Sequence, residues 1–385
     1  MRSQRPPLRR LALLGATGSI GRQVCDLVDR YPQHFALHAI VGGHQAAALE
    51  TMARRYPNAH ALLARSDRDA DAVARQVNEV VCDPDVDLVV VAVAGSAALA
   101  PTLAALDAGK DIALATKEVL VMAGPLIRER MRAHGSQVFP IDSEHSAIWQ
   151  CLWGEKREVV RRLILTGSGG PFLRRPLASL EAVTIAEALA HPRWKMGPKI
   201  TVDSATMMNK GLEIIEAHFL FDIAYPAIDV VIHPESVVHS MVEFVDGSVK
   251  AQLARPDMHL PIAIALGFPE RIADVTGAPD LTAIGHLTFE SLDPARYPAV
   301  GLARAAATRG GTAPAVLNAA NEEAVSLFLD GRCRFTDLVA LVEHALDTVP
   351  VSDELDVQTL LDADREARSL VRGAASGERR SKLPA

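Results

Sequence analysis

Between His191 and His218 the chain reads HPRWKMGPKITVDSATMMNKGLEIIEAH, and two kinds of segment meet there. In the second, Leu212, Ile215, Phe219 and Leu220 recur at helical spacing, with Asp203 or Ser204 as the predicted N-cap. Ser204, Asn209 and Lys210 then place hydroxyl, amide and ammonium donors near a helix start. Such donors suit a phosphate, because unpaired N–H groups and the positive dipole end already favour an anion. Glu213 follows Asn209 by four residues on the same face, and its carboxylate would repel that anion unless a cation lay between them. The pattern suggests phosphate at one end of a small ligand and a metal at the other. An amphipathic helix with a solvated polar face fits the same spacing. In the first segment, His191 to Lys199, Pro192, Gly197 and Pro198 argue against regular structure. With Trp194 and Met196 upon it, it reads as a mobile lid that buries apolar surface over a ligand and excludes water.

Other residues could do chemistry too. Asp142 and Glu144, if extended, point to the same side, and two ionised carboxylates together require a cation of the Mg²⁺ or Mn²⁺ kind. On those residues alone the better reading is a helix cap followed by a Glu in its first turn. Lys117 and Glu118 directly follow a predicted strand, where ligands of open α/β sheets bind. Thr166-Gly167-Ser168-Gly169-Gly170 after another strand could form an anion nest or an ordinary turn. His233 and His239, six apart, do not match a zinc helix spacing and are expected to be structural.

The elements that must position these groups begin with Leu11–Leu14, the glycine turn GATGSIG at 15–21, and a helical pattern through Val28. Gly15 would allow the tight turn, Gly18 the approach of a pyrophosphate, and Gly21 the packing of helix on strand. A second strand, Ala36–Val41, ends in Gly42-Gly43-His44-Gln45, with no acid for a ribose 2′-hydroxyl. That leaves room for a 2′-phosphate, with His44 and Gln45 as donors, so NADP is favoured over NAD. Strands at Leu88–Ala94 and Ile112–Ala115, with a helix Ala97–Leu106 between, complete a Rossmann-like alternation. Strands are also predicted at Leu163–Leu165, Asp229–Ile232 and Ser248–Leu253. Asp257–Gly285 reads as a connection, and Val300–Leu370 as helical. Met1–Arg10 is expected to be a frayed end and the chain from Gly373 a disordered tail.

A length of 385 residues implies two or three domains, and a net charge of −7 with a pI near 6.0 gives no reason to expect nucleic acid binding. Four scattered cysteines without a Cys-x-x-Cys pair fit buried thiols in a reducing, cytoplasmic compartment. No apolar run reaches the length of a membrane span.

Taken in order, GATGSIG, DSEHSAIWQ, LTGSGGPF, HPRWKMGPKITVDSATMMNKGLE, HPESVVHSMVEFVDGSVKAQLARPDM and APAVLNAANEEAV closely resemble 1-deoxy-D-xylulose 5-phosphate reductoisomerases. The resemblance covers nearly the whole chain. It implies an α/β protein: an NADPH-binding Rossmann-like domain at 1–142, a catalytic α+β domain at 143–268, a linker at 269–299 and a helical domain at 300–385. It implies an NADPH- and metal-dependent enzyme (Mg²⁺, Mn²⁺ or Co²⁺) that works as a homodimer. Its substrate would be a small phosphorylated sugar, rearranged by a retro-aldol/aldol route and then reduced.

By position, the metal ligands would be Asp142, Glu144 and Glu213, and the phosphate donors Ser168, Ser204, Asn209 and Lys210. Lys117, Ser143 and His191 would also touch substrate, under Trp194 on the lid. Cofactor contacts would fall on Thr17, Gly18, Ser19, Ile20, Gly43, Glu118 and Gly197. Two departures stand out. Thr116 replaces a common Asn, altering or removing a cofactor contact, and His44-Gln45 replace a more basic pair, weakening the preference for NADPH. Two rival readings are another nicotinamide-dependent oxidoreductase, of the homoserine dehydrogenase kind, and a catalytically silent dinucleotide sensor.

Overall fold

The structure is a computed structural model that describes residues 8–65, 70–194 and 196–375. It divides into two compact units. The first comprises the described residues of Met1–Val119 with Ile127–Ser146 and Asp257–Gly277. The second comprises Leu120–Leu126, Ala147–Pro256 and the described residues of Ala278–Ala385.

The first unit carries six parallel strands: β1 (Arg9–Leu14), β2 (Phe35–Gly42), β3 (His60–Leu63), β4 (Leu88–Val91), β5 (Asp111–Leu114) and β6 (Val138–Pro140). Their order is β3-β2-β1-β4-β5-β6, the doubly wound arrangement in which direction reverses between β1 and β4. All four residues of β4 are buried, as its unbroken apolar run requires of a strand covered on both faces. Arg9 and Arg10 begin β1, so this part of the expected frayed end is ordered strand; residues 1–7 lie outside the described residues. The expected connection at Asp257–Gly285 is corrected as well. His259–Gly267 is a buried helix whose Leu266 carbonyl accepts from Arg9 Nη1 at 2.7 Å. Its Pro261 sits in the first turn, where a missing N–H costs nothing.

The second unit holds a mixed sheet of β7 (Val160–Gly167), β8 (Ile228–Ile232), β9 (Val238–Phe244), β10 (Val249–Leu253) and β11 (Glu290–Ser291). The order is β10-β9-β7-β8-β11, with only β7 and β8 parallel. β9 was not expected from the sequence; its burial alternates only from Ser240 to Phe244, and Met241 and Val242 are consecutive apolar residues. Four helices follow, Pro298–Arg309, Ala313–Leu329, Asp337–Thr348 and Val357–Ala375, around a core built on the buried residues of Ala313–Leu329. The helical reading of Val300–Leu370 therefore holds. Gly373 to Ala375 finish the last helix and are not tail; residues 376–385 lie outside the described residues.

Among the described residues no helix is long and apolar enough to cross a membrane. All four cysteines are free thiols; Cys25 and Cys151 are buried, whereas Cys82 is exposed, contrary to expectation.

Candidate active site

In the first unit, β1 runs into the glycine turn and the helix Ser19–Arg30. Gly15 has φ +83°, and a Cβ there would stand 2.2 Å from the Ala92 carbonyl oxygen, so only glycine fits. A Cβ on Gly21 would meet the Gly15 carbonyl oxygen at 2.3 Å, so that glycine lets the helix close onto its own turn. Gly18 caps the helix without a side chain, leaving the backbone accessible at its positive end. Thr17 is buried, Gly18 and Ile20 half-buried and Ser19 exposed. At the end of β2, Gly43 is half-buried while His44 and Gln45 are exposed.

Thr116 and Lys117 do not lie in a loop: Lys117–His134 is a helix with Thr116 at its N-cap, and Glu118 is half-buried in its first turn. The Thr116 hydroxyl donates to the Val93 carbonyl at 2.6 Å, tying the segment after β5 to the one after β4. The buried Lys117 ammonium forms an ion pair with Asp142. Asp142 and Glu144 are not extended. Asp142 precedes the helix Ser143–Leu152 and accepts its first backbone bond, from Ser146 N at 2.8 Å, and Glu144 lies in the first turn. The plainer reading of these residues, a cap and a first-turn Glu, is the observed one. Both carboxylates still sit at the positive end of a helix, which favours their charged forms. The Ser143 hydroxyl donates to Glu144 Oε2 at 2.5 Å. Fully buried His145 has Nδ1 4.0 Å from Asp142 Oδ2, a neighbour not singled out from sequence.

The second unit brings the phosphate-type donors together. Asp203 and Ser204 are not caps but lie inside a helix, Pro198–Thr206, with Gly197 as N-cap. That helix stops at Met207, which holds φ +60°, a left-handed conformation unusual for a side chain of this size. A new helix, Met208–Phe221, starts there and places Asn209 and Lys210 in its first turn. Two close approaches assemble the set. A Cβ on Gly170 would stand 2.7 Å from the Ser204 carbonyl, and one on Gly167 3.2 Å from Lys210 Cε. The loop after β7 is thus pressed against both Ser204 and Lys210. Gly169 and Gly170, at φ +80° and +66°, turn it back beneath Ser168.

Glu213 is fully buried. Lys210 Nζ donates to its Oε2 at 2.5 Å, and Asn209 Nδ2 donates to its Oε1. Two donors expected to face a phosphate are therefore also partners of this carboxylate, which is how its charge is tolerated inside the unit. His191 Nδ1 accepts from the backbone N–H groups of Arg193, at 3.2 Å, and Trp194, at 2.9 Å. Its ring proton consequently sits on Nε2, which lies 3.0 Å from Ser168 Oγ and donates to it. Gly170 N also donates to that oxygen, at 3.1 Å, so the Ser168 hydroxyl keeps its own proton for a ligand. Burial, reinforced by the Lys210 charge, holds the His191 imidazole below its ordinary pKa. Trp194 is half-buried with its ring centroid 6.1 Å from that of His239, while Gly197 is exposed. His233 is fully buried and bonded to the backbone, accepting from Val237 N and Val238 N.

The family models that match are 1-deoxy-D-xylulose 5-phosphate reductoisomerase over residues 11–124, the C-terminal domain of the same enzyme over 138–221, and a DXP reductoisomerase C-terminal domain over 253–370. A reductoisomerase of that name from Xanthomonas oryzae pv. oryzae is 48% identical, covering 95% of this chain and 97% of its own. One from Chlorobium phaeobacteroides is 44% identical, over 95% and 99%. The chain belongs to the 1-deoxy-D-xylulose 5-phosphate reductoisomerase family. A crystal structure of DOX-P reductoisomerase in complex with NADPH, fosmidomycin and magnesium superposes with a TM-score of 0.88 at 38% identity, covering 95% of this chain and 98% of that one. The Zymomonas mobilis enzyme in complex with NADPH gives 0.87 at 37%, over 96% and 99%.

Within the reductoisomerase frame, sequence reasoning took Asp203 only as a possible cap and did not single out its buried partner Asn321. Asp203 Oδ1 accepts from Asn321 Nδ2 at 2.8 Å, and Lys199 Nζ lies 2.9 Å from Asp203 Oδ2. The partners lie 118 residues apart, and no local pattern announces such a pair.

Proposed function

We infer that this chain converts 1-deoxy-D-xylulose 5-phosphate to 2-C-methyl-D-erythritol 4-phosphate, an NADPH- and divalent-metal-dependent rearrangement and reduction in isoprenoid precursor biosynthesis. The observation that carries this reading is the pairing, at the start of one helix, of the Asn209 amide and the Lys210 ammonium with the buried Glu213 carboxylate. Neither rival reading needs that combination.

We assign Ser168, Ser204, Asn209 and Lys210 to the substrate phosphate, and Asp142, Glu144 and Glu213 to one divalent ion. The chemistry of the donors fits: three carboxylates are hard oxygen ligands of the kind Mg²⁺ and Mn²⁺ select. When bound, the ion supplies positive charge beside the reacting oxygens and NADPH supplies the hydride. The protein's own part is to hold and orient. The Ser168 hydroxyl proton, freed by the two donors that satisfy its oxygen, is given to the phosphate. That remote grip provides binding energy that fixes the reacting end in place. Lys117, ion-paired with Asp142, presents ammonium protons to substrate oxygens, and Ser143 orients Glu144. His191 fastens the lid beside Ser168, and Trp194 covers the ligand and excludes water.

For the cofactor we assign Thr17, Gly18, Ser19, Ile20, Gly43, His44, Gln45, Glu118 and Gly197. We keep Thr116 among the cofactor residues as well, its hydroxyl being held by the Val93 carbonyl. We further propose a homodimer in the cytoplasm. The exposed apolar side chains Val245, Val249, Leu281, Leu287 and Phe289 support self-association, and four free thiols support a reducing compartment. The test is product identity: NMR of the incubation with substrate, NADPH and Mg²⁺ should show the branched tetritol phosphate. Reduction of substrate without the skeletal rearrangement would overturn the reading.

A further inference from the structure

The helix Pro198–Thr206 is short, and it stands between the lid and the left-handed break at Met207. An isolated helix of nine residues does not hold itself in place, so something outside it must fix Ser204. One side of the helix is fixed by the loop after β7, through the close approach of Gly170 to the Ser204 carbonyl. The other side presents Asp203, a carboxylate that is 1% exposed. Its Oδ1 accepts from Asn321 Nδ2 at 2.8 Å, and its Oδ2 faces Lys199 Nζ at 2.9 Å. Asn321, 3% exposed, lies on the largely apolar helix Ala313–Leu329, the centre of this unit's core, within the AANEEAV stretch that the site otherwise leaves without a role. Lys199 lies two residues beyond Gly197, at the downstream edge of the lid. A buried carboxylate with one partner in the core and one at the lid's root ties both to the turn that carries Ser204.

We propose that Asp203, Asn321 and Lys199 are positioning residues: they pin the Ser204 turn to the core and set the lid's root, so that the phosphate grip is formed before substrate arrives. This rests on the assignment of Ser204 to the phosphate. It locates a determinant of phosphate affinity in the C-terminal helices, away from any group that touches substrate. Loss of the Asn321 hydrogen bond or of the Lys199 ion pair at such a pin should weaken phosphate binding about tenfold, equivalent to ~1.4 kcal/mol.

The test uses the full-length enzyme with Asn321→Ala, Lys199→Met and Lys199→Arg, and Ser204→Ala as reference. Asn321→Ala and Lys199→Met should each raise KM for the phosphorylated substrate and the inhibition constant of inorganic phosphate about tenfold. kcat and the dissociation constants of NADPH and Mn²⁺ should stay within about twofold, a split that general loosening of the fold would not give. Lys199→Arg, which keeps the ion pair, should restore KM. Unchanged KM in both variants, or kcat and NADPH affinity falling in proportion as KM rises, overturns the proposal. If Ser204→Ala raises KM while the other variants are silent, the phosphate assignment stands and the positioning role falls. If Ser204→Ala is silent, both fall. Lys199 is partly exposed, so its variants fold even if Asn321→Ala does not.

Discussion

Replacing Glu213 by Gln removes one charge and almost no volume, and its consequences can be worked out from the geometry. Glu213 is fully buried, and its partner Lys210 is 5% exposed, with Nζ 2.5 Å from Oε2. Taking one partner from a buried ion pair costs about 3–5 kcal/mol, because the remaining charge stays out of water without compensation. The amide keeps an oxygen for Lys210 or Asn209, so the lower end, ~3 kcal/mol, applies. In a domain of this size that lowers the midpoint of thermal unfolding by roughly 6–12 °C. Loss of a carboxylate ligand should also weaken Mn²⁺ by at least about a hundredfold, above the 10–100-fold typical of groups that merely support a ligand. NADPH binding, which we assign to the glycine turn at residues 15–21, should change by less than about twofold. The assays are calorimetric melting, Mn²⁺ titration by EPR and NADPH fluorescence, each on the purified variant. A variant that melts with the parent and binds Mn²⁺ equally well would show that Glu213 neither balances Lys210 nor holds the ion. Equal loss of metal and NADPH binding would show a merely structural residue.

Other perturbations probe separate parts of the site. Gly15→Ala puts a Cβ 2.2 Å from the Ala92 carbonyl at φ +83°, and should cost at least about tenfold in NADPH affinity by fluorescence titration, or prevent folding; an unchanged affinity would separate the turn from the cofactor. His44→Lys should improve NADPH relative to NADH roughly tenfold if residue 44 faces the 2′-phosphate, and an unchanged ratio of dissociation constants would remove it from the site. Burial lowers the His191 pKa, so its contribution to stability is complete above the ordinary value near 6.5 and is lost as pH falls through the depressed folded value. Protonation at Nδ1 would break its bonds from Arg193 and Trp194, so kcat/KM should fall on the acid side below about pH 6.5; His191→Gln should abolish that limb, and a limb unchanged in the variant would assign it elsewhere.

Much of the first unit was legible because its signals are local. The glycine turn, the unbroken apolar run of β4 and the helix stop at Gly109, φ +71°, each act over a few residues. The start of the Ser204 helix was misplaced by six residues because Pro198 was read as a breaker, when after Gly197 it is a good first helical residue. Met207 gave no warning at all: a methionine held at φ +60° is imposed by buried packing and not by its own preference. β9 and the helix His259–Gly267 were passed over for another reason, their local patterns being short and their identity depending on what covers them. Among candidate site residues, types and spacing singled out Lys117, Glu213 and the hydroxyl, amide and ammonium groups that we assign to a phosphate. They could not show that Lys210 and Asn209 already bond to Glu213, or that Asn321 reaches Asp203, because side-chain direction and long-range packing decide both.

The most direct measurement is oxidation of NADPH by the purified protein with 1-deoxy-D-xylulose 5-phosphate, with Mg²⁺ or Mn²⁺ added and again in excess chelator. Absorbance at the nicotinamide band should fall only when substrate and metal are both present, and restoring the metal after chelation should restore the rate. Turnover that continues undiminished in chelator, or NADPH that binds but is never consumed, would contradict a metal-assisted reductoisomerase.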